Sequence, residues 1–240
     1  MKRMTQMKIA AMAVLVLAAT SVRADDSSQS GGGNKLQKNQ THWYQAAAET
    51  VGPVDGIATE TGKLLTLQTG SFLYMEGDST LHKYQMTAHA LKGSAVVKGS
   101  STDLLKALKA GKVGAMSLVV PVAMFKSRES GLDDNAAKAL KATDNPVIRF
   151  DLTKEKLADG ATDGTYGLTA TGTLTIAGDT EPVTLTADAT VTDNQIHLKG
   201  VQPLKMSDFK ITPPSISLVV TAITCTDAIE VHYDVIFAAK

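Results

Sequence analysis

The chain has 240 residues, 43% of them apolar and 20% charged, a balance that suits a packed core and excludes a wholly disordered chain or a polytopic membrane protein. Lys+Arg and Asp+Glu each number 24, so the basic surplus that phosphate neutralisation demands is missing and nucleic-acid binding is not expected. The single cysteine, Cys225, excludes an intramolecular disulfide and any zinc or iron-sulfur site built from cysteines.

In chain order, Lys2, Arg3 and Lys8 precede an apolar run from Ile9 to Ala19 that is too short to cross a bilayer. Val22 and Ala24 then offer the small residues of a cleavage site, so residues 1–24 read as a secretory signal peptide and the protein as exported, not membrane-spanning. Removing Lys2, Arg3, Lys8 and Arg23 leaves 20 basic against 24 acidic residues, about −4. Residues 25–62 follow as a flexible tether, rich in Ser, Gly, Gln and Asn up to Thr41, and a segment from His42 to Ala58. That segment contains Trp43 and Ala46 to Ala48, and is either a short helix or a drape on the body. A lone thiol persists in an oxidising compartment when hidden, so Cys225 is expected to be buried and inert.

From Lys63 onward the period becomes two: Phe72, Tyr74 and Glu76 face one way, Leu73, Met75 and Gly77 the other. Strands are expected at Tyr84 to Val97, Met116 to Phe125, Val147 to Thr153, Ile196 to Gly200, Ser217 to Cys225 and Ile229 to Ala238. Tyr166 to Ile176 and Val183 to Val191 alternate as a hairpin around Gly178-Asp179-Thr180. Two helices interrupt them. Thr102 to Ala110 is started by Ser101 and stopped by Gly111, with Leu104, Leu105 and Leu108 on one side. Leu132 to Ala142 sets Leu132, Ala136, Ala139 and Leu140 on one face, with Pro146 beyond its end. About nine strands with one apolar face predict an all-β protein, an antiparallel barrel or sandwich with two short capping helices. A barrel of about eight strands holds one small ligand or a filled core. Here Ala170, Gly172, Ala187 and Ala189, interleaved in aliphatic stripes, predict room inside, with a filled core as the alternative.

Chemistry is weakly signalled. Gly77-Asp78-Ser79-Thr80-Leu81 is similar to the Gly-Asp-Ser-Leu block of one esterase family, whose serine needs an Asp-x-x-His partner. Asp193 stands four residues before His197, however, and Ile229 occupies the position three before His232, so a strand-end turn is expected and no catalytic residue is assigned. The histidines His42, His82, His89, His197 and His232 show no metal-ligand spacing, and no metal site is expected. Asp133 and Asp134 suit the first turn of the second helix, and Lys138 and Lys141 its end. No glycine-rich phosphate cradle precedes a helix, so nucleotide binding is not expected.

Four blocks carry a resemblance. Ser79-Thr80-Leu81-His82-Lys83-Tyr84 resembles the Ser-x-x-His-x-aromatic block of the YceI-like family of bacterial periplasmic polyisoprenoid-binding proteins. Val120-Pro121-Val122, Lys126-Ser127, Leu132-Asp133 and Lys138 to Ala142, ending in Pro146-Val147-Ile148-Arg149-Phe150, resemble its helix-to-strand segment. Gly172 to Gly178 resembles its Gly-x-Leu-Thr-Ile-x-Gly hairpin, and Leu204 to Pro214 its Met-x-Asp-Phe-x-Ile-x-Pro-Pro block. The likeness covers residues 63–240 and implies a lipocalin-like barrel, periplasmic location, and an isoprenoid or quinone-like lipid as ligand and partner, without catalysis and with no cofactor beyond that bound polyisoprenoid or quinone lipid. In one departure, Asp179 and Glu181 replace an apolar and a basic residue of the family's hairpin.

The expected function is therefore an exported, non-enzymatic lipid carrier. Tyr84, Met86, Ile148, Phe150, Leu168, Leu174, Ile176, Leu185, Val231 and Phe237 are expected to contact the ligand, with His82 and Tyr84 at a strand entry or pocket mouth. The alternatives are a filled-barrel, stress-related interaction module and a serine esterase.

Overall fold

The computed structural model describes residues 62–88, 90–99, 103–159, 164–217 and 222–239. The signal, the tether, Trp43, His42 and His89 lie outside the described residues. The elements run β1 (Gly62–Leu67), β2 (Phe72–Ser79), β3 (Tyr84–Ala88), β4 (Lys92–Lys98), α1 (Leu104–Lys109), β5 (Val113–Pro121), a 3-10 turn (Val122–Met124), α2 (Ser130–Ala139), β6 (Val147–Asp159), β7 (Thr165–Ile176), β8 (Asp179–Val191), β9 (Gln195–Lys205), a second 3-10 turn (Met206–Phe209), β10 (Ser215–Ser217) and β11 (Ala222–Ala239). Neighbouring strands follow the order β1-β4-β5-β6-β7-β8-β9-β11, all antiparallel, and β11 returns to β1 with Leu65 opposite Ala239. That last pairing closes an eight-stranded barrel of the lipocalin-like type. The remaining edge of β11 is taken by β2, which carries β3.

Closure explains where the strands depart from expectation. The run from Tyr84 to Val97 is two strands, β3 and β4, because the first half pairs with β2 and the second with β1 and β5. Beyond β2, among the described residues β3 meets only the bridge between Thr87 and Lys126. Strand β5 stops at Pro121, since proline lacks the N–H of a further ladder bond. The expected strands on either side of Thr226 are one strand, β11, bulged between Cys225 and Ile229, while Ser215 to Ser217 folds back on it as β10. Asp103, not Ser101, caps α1, its side chain accepting from Lys106 N at 2.9 Å. Ser101 itself lies outside the described residues. Helix α2 begins at Ser130, and Asp133 in its first turn accepts from Ser127 N (2.8 Å) and Ser127 Oγ (2.7 Å).

The β7–β8 hairpin turns one residue earlier than expected, on Ala177 and Gly178, both with positive φ (53° and 89°). A two-residue turn of this kind matches the twist of the flanking strands. Ala177 is buried and belongs to the apolar cluster that includes Phe150 and Phe209. Asp179 thereby enters β8 opposite Ile176, and Lys210 Nζ reaches its Oδ1 at 2.5 Å. The acid that departs from the resembled hairpin thus ties β8 to the second 3-10 turn.

Two apolar clusters pack against the barrel interior. Leu104, Ala107 and Leu108 of α1 pack with Leu65, Val97, Val235 and Phe237, and Met206, Phe209 and Ile211 pack with Leu174 and Ile176. On the outer face, Asp234 joins β11 to β9: His197 Nε2 lies 2.5 Å from its Oδ1 and Lys199 Nζ 2.9 Å from its Oδ2. Desolvation opposes ionisation of Asp234, but these hydrogen bonds outweigh it and hold its carboxyl below the ordinary carboxylate range. A depressed folded pKa contributes stability above the unfolded value, near 3.9, that is lost as pH falls through the folded value. Asp234→Asn is therefore expected to lower the melting temperature at neutral pH. The gap to the parent should close as pH drops below about 4, and a gap independent of pH would contradict this.

Candidate functional site

Between these clusters the barrel wall surrounds a cavity of about 240 Å³. Its wall is built by the inward positions of each strand, because side chains at i and i+2 share a face. Strand β3 supplies Tyr84 and Met86, β6 Ile148 and Phe150, β7 Leu168, Leu174 and Ile176, β8 Leu185, and β11 Val231 and Phe237. All ten residues expected from the sequence are thus on one wall. The wall also includes Leu73 and Met75 of β2, Met116, Leu118 and Val120 of β5, Leu132 and Ala136 of α2, and Leu140 at its C-cap. The strand residues among these were legible as alternating positions. That α2 lies against the cavity was not, since a helix's own period does not name its neighbour.

The interior is hollow, so the filled-barrel alternative does not describe it. Ala170 and Ala187 line the cavity, and Leu168 and Leu185 beside them are only half-buried although they point inward. Two of the four small residues act otherwise. Ala189 is fully buried and absent from the cavity wall. A Cβ on Gly172 would stand 2.2 Å from Asp151 O and 2.8 Å from the Phe150 ring, so an aromatic side chain already occupies its place. The same arrangement recurs at Gly77 beneath Tyr84 and at Gly200 beneath Tyr233, whose hydroxyl donates to Thr186 O at 2.6 Å. Each glycine leaves room for a ring on the adjoining strand that a Cβ would meet.

The wall is almost entirely apolar. Burial, helped by Cys225 and Asp78 nearby, pushes the Tyr84 phenol well above its ordinary pKa, and burial raises that of Tyr233 to about 12. Both are neutral hydroxyls at physiological pH. The buried carboxylate Glu155 accepts from Val113 N at 2.8 Å and so fastens the α1–β5 connection. Such a lining rewards apolar surface.

Cys225 is half-buried and faces the cavity, which corrects the expectation of a fully buried thiol; the bulge after it turns its strand at the wall. An uncharged maleimide is expected to label it faster than a sulfonated one, because the approach crosses apolar surface. Equal rates would place the thiol in open solvent.

The serine of the esterase-like block serves a turn. Ser79 Oγ donates to His82 O at 2.7 Å and accepts from Leu81 N and His82 N at 3.2 and 3.1 Å, while His82 Nδ1 contacts Lys83 O at 2.8 Å. Among the described residues no imidazole hydrogen-bonds the Ser79 hydroxyl, and His197 is engaged with Asp234. Among the described residues no helix is long and apolar enough to cross a membrane.

Comparison with known proteins agrees with this architecture. Over 70% of this chain and 96% of the other, the fold superposes on BcnA of Burkholderia cenocepacia at 17% identity with a TM-score of 0.52. Over 73% of this chain and 98% of the other, it superposes on a polyisoprenoid binding domain from Saccharophagus degradans implicated in plant cell wall breakdown, at 12% identity and a TM-score of 0.54. No curated protein matches the sequence. The profile of the YceI-like domain spans residues 68–237, from the end of β1 through the closing strand β11. With most of the barrel and its hollow wall inside that match, the chain belongs to the YceI-like domain family.

Proposed function

We propose that the protein is an exported, non-enzymatic carrier of an apolar lipid, held in the barrel as a chain of the isoprenoid or quinone-like kind. The observation that carries this reading is the continuous apolar wall around an interior left open by Ala170 and Ala187. The polyisoprenoid binding described for the Saccharophagus degradans domain supports the ligand class. Tyr84, Met86, Ile148, Phe150, Leu168, Leu174, Ile176, Leu185, Val231 and Phe237 are the contacts proposed for the chain. Burial supplies the affinity: at roughly 0.8 kcal/mol per methylene, about 15 buried carbons yield about 12 kcal/mol, and micromolar binding remains after about 4 kcal/mol of association cost.

The basic start, short apolar run and Val22-x-Ala24 site support export to the periplasm. Protein purified without detergent is expected to release a lipid on organic extraction, identified by mass, and its intact mass to begin at Asp25. A preparation exposed to bacterial lipid that yields none would refute the carrier, and retention of Met1 to Ala24 would refute export.

A further inference from the structure

Outside the barrel, on the face opposite the cavity, β2 and β11 bring together three side chains distant in the sequence. Glu76 and Glu230 stand directly opposite each other across the strand pair, and His232, two residues along β11, is opposite Tyr74. Like charges placed directly opposite destabilise a strand pair unless something positive lies between them. The nearest positive candidate is the imidazole, yet it makes no hydrogen bond to either acid. His232 Nε2 is 3.9 Å from Glu76 Oε2 and 3.8 Å from Glu230 Oε2, beyond hydrogen-bond range. That nitrogen is closed to solvent and has no hydrogen-bond partner, a costly state for a polar atom.

We propose that Glu76, Glu230 and His232 form a binding site for a divalent cation of the zinc type. The three donor atoms lie within 4.8 Å of one another. Bonds of about 2.0–2.2 Å in a tetrahedral site place donors roughly 3.4 Å apart, so the two nitrogen-to-oxygen gaps need close by only a few tenths of an ångström. Both glutamates are exposed. One imidazole nitrogen with two carboxylates suits zinc better than calcium or magnesium, which take oxygen donors.

The surroundings already orient the ligands. The His232 ring stacks on Tyr74 with centroids 4.4 Å apart and planes 7° from parallel, which fixes the direction of Nε2. Gln85 Nε2 reaches Glu76 Oε1 at 3.5 Å, leaving Oε2 turned toward the histidine. Three protein donors leave one tetrahedral position for water, and the ion would join β2 to β11 independently of whatever fills the barrel.

The test is calorimetric titration of the full chain, free of any affinity tag, with Zn2+ alone. The expected result is one saturable equivalent, weakened about 100-fold or more by His232→Gln and likewise by Glu230→Gln. Glu230 is exposed and its amide nearly isosteric, so that variant stays folded even if the histidine variant does not. Absence of a saturable equivalent in the parent, or undiminished binding by Glu230→Gln, would overturn the assignment.

Discussion

Replacing Ala170 or Ala187 by leucine is expected to weaken lipid uptake roughly 30- to 100-fold while leaving the melting temperature within a few degrees of the parent. Both alanines stand on the cavity wall, in the middle of the β7–β8 ladder where Leu168 and Leu185 are their half-buried neighbours. Leucine adds three carbons to a void, displacing about three methylenes of ligand at roughly 0.8 kcal/mol each. The void takes the added carbons without strain, and their burial offsets the loss of rotamer freedom. In a close-packed interior the same change costs about 1–3 kcal/mol through overpacking. Uptake of a fluorescent long-chain lipid and thermal denaturation of the same preparations separate the two. Marked destabilisation with unchanged uptake would remove the cavity from the function.

Gly172→Ala is expected to do the opposite, lowering stability by about 2–3 kcal/mol, or roughly 5–10 °C in melting temperature. The added methyl meets a backbone carbonyl, Asp151 O, at 2.2 Å, and the ring of Phe150 at 2.8 Å. The carbonyl belongs to β6, paired with β7 at Asp151 and Thr173, so it cannot withdraw without loosening the ladder. The ring would have to swing toward the cavity, so whatever folded protein remains should also hold less lipid. A variant as stable as the parent would show that Phe150 does not lie over Gly172. Gly200 beneath Tyr233 predicts the same sign of effect, with the Tyr233–Thr186 hydrogen bond as an additional loss.

These two changes show what was legible beforehand and what was not. Alternation assigned Leu168, Leu174 and Ile176 to one face and the threonines between them to the other, because a strand's period is local and exact. The ten residues expected to contact a ligand line the cavity for that reason. Gly172, unlike Ala170, does not leave empty space. A glycine facing inward is void or filled according to the ring on the adjoining strand, and residue size along one strand says nothing about that ring.

The local pattern of the chain by itself determined that it folds as antiparallel strands with one apolar face, two short helices and an aliphatic interior. Only the tertiary structure decided how the sheet closes. The pairing of Leu65 with Ala239, the division of Tyr84 to Val97 between two partners, and the bulge after Cys225 all depend on which strand lies beside which. The meeting of Glu76 with Glu230 and His232 has the same origin. Period two tells each side chain which face it occupies, but the neighbour across that face is set by barrel closure, a property of the whole sheet that no single segment encodes.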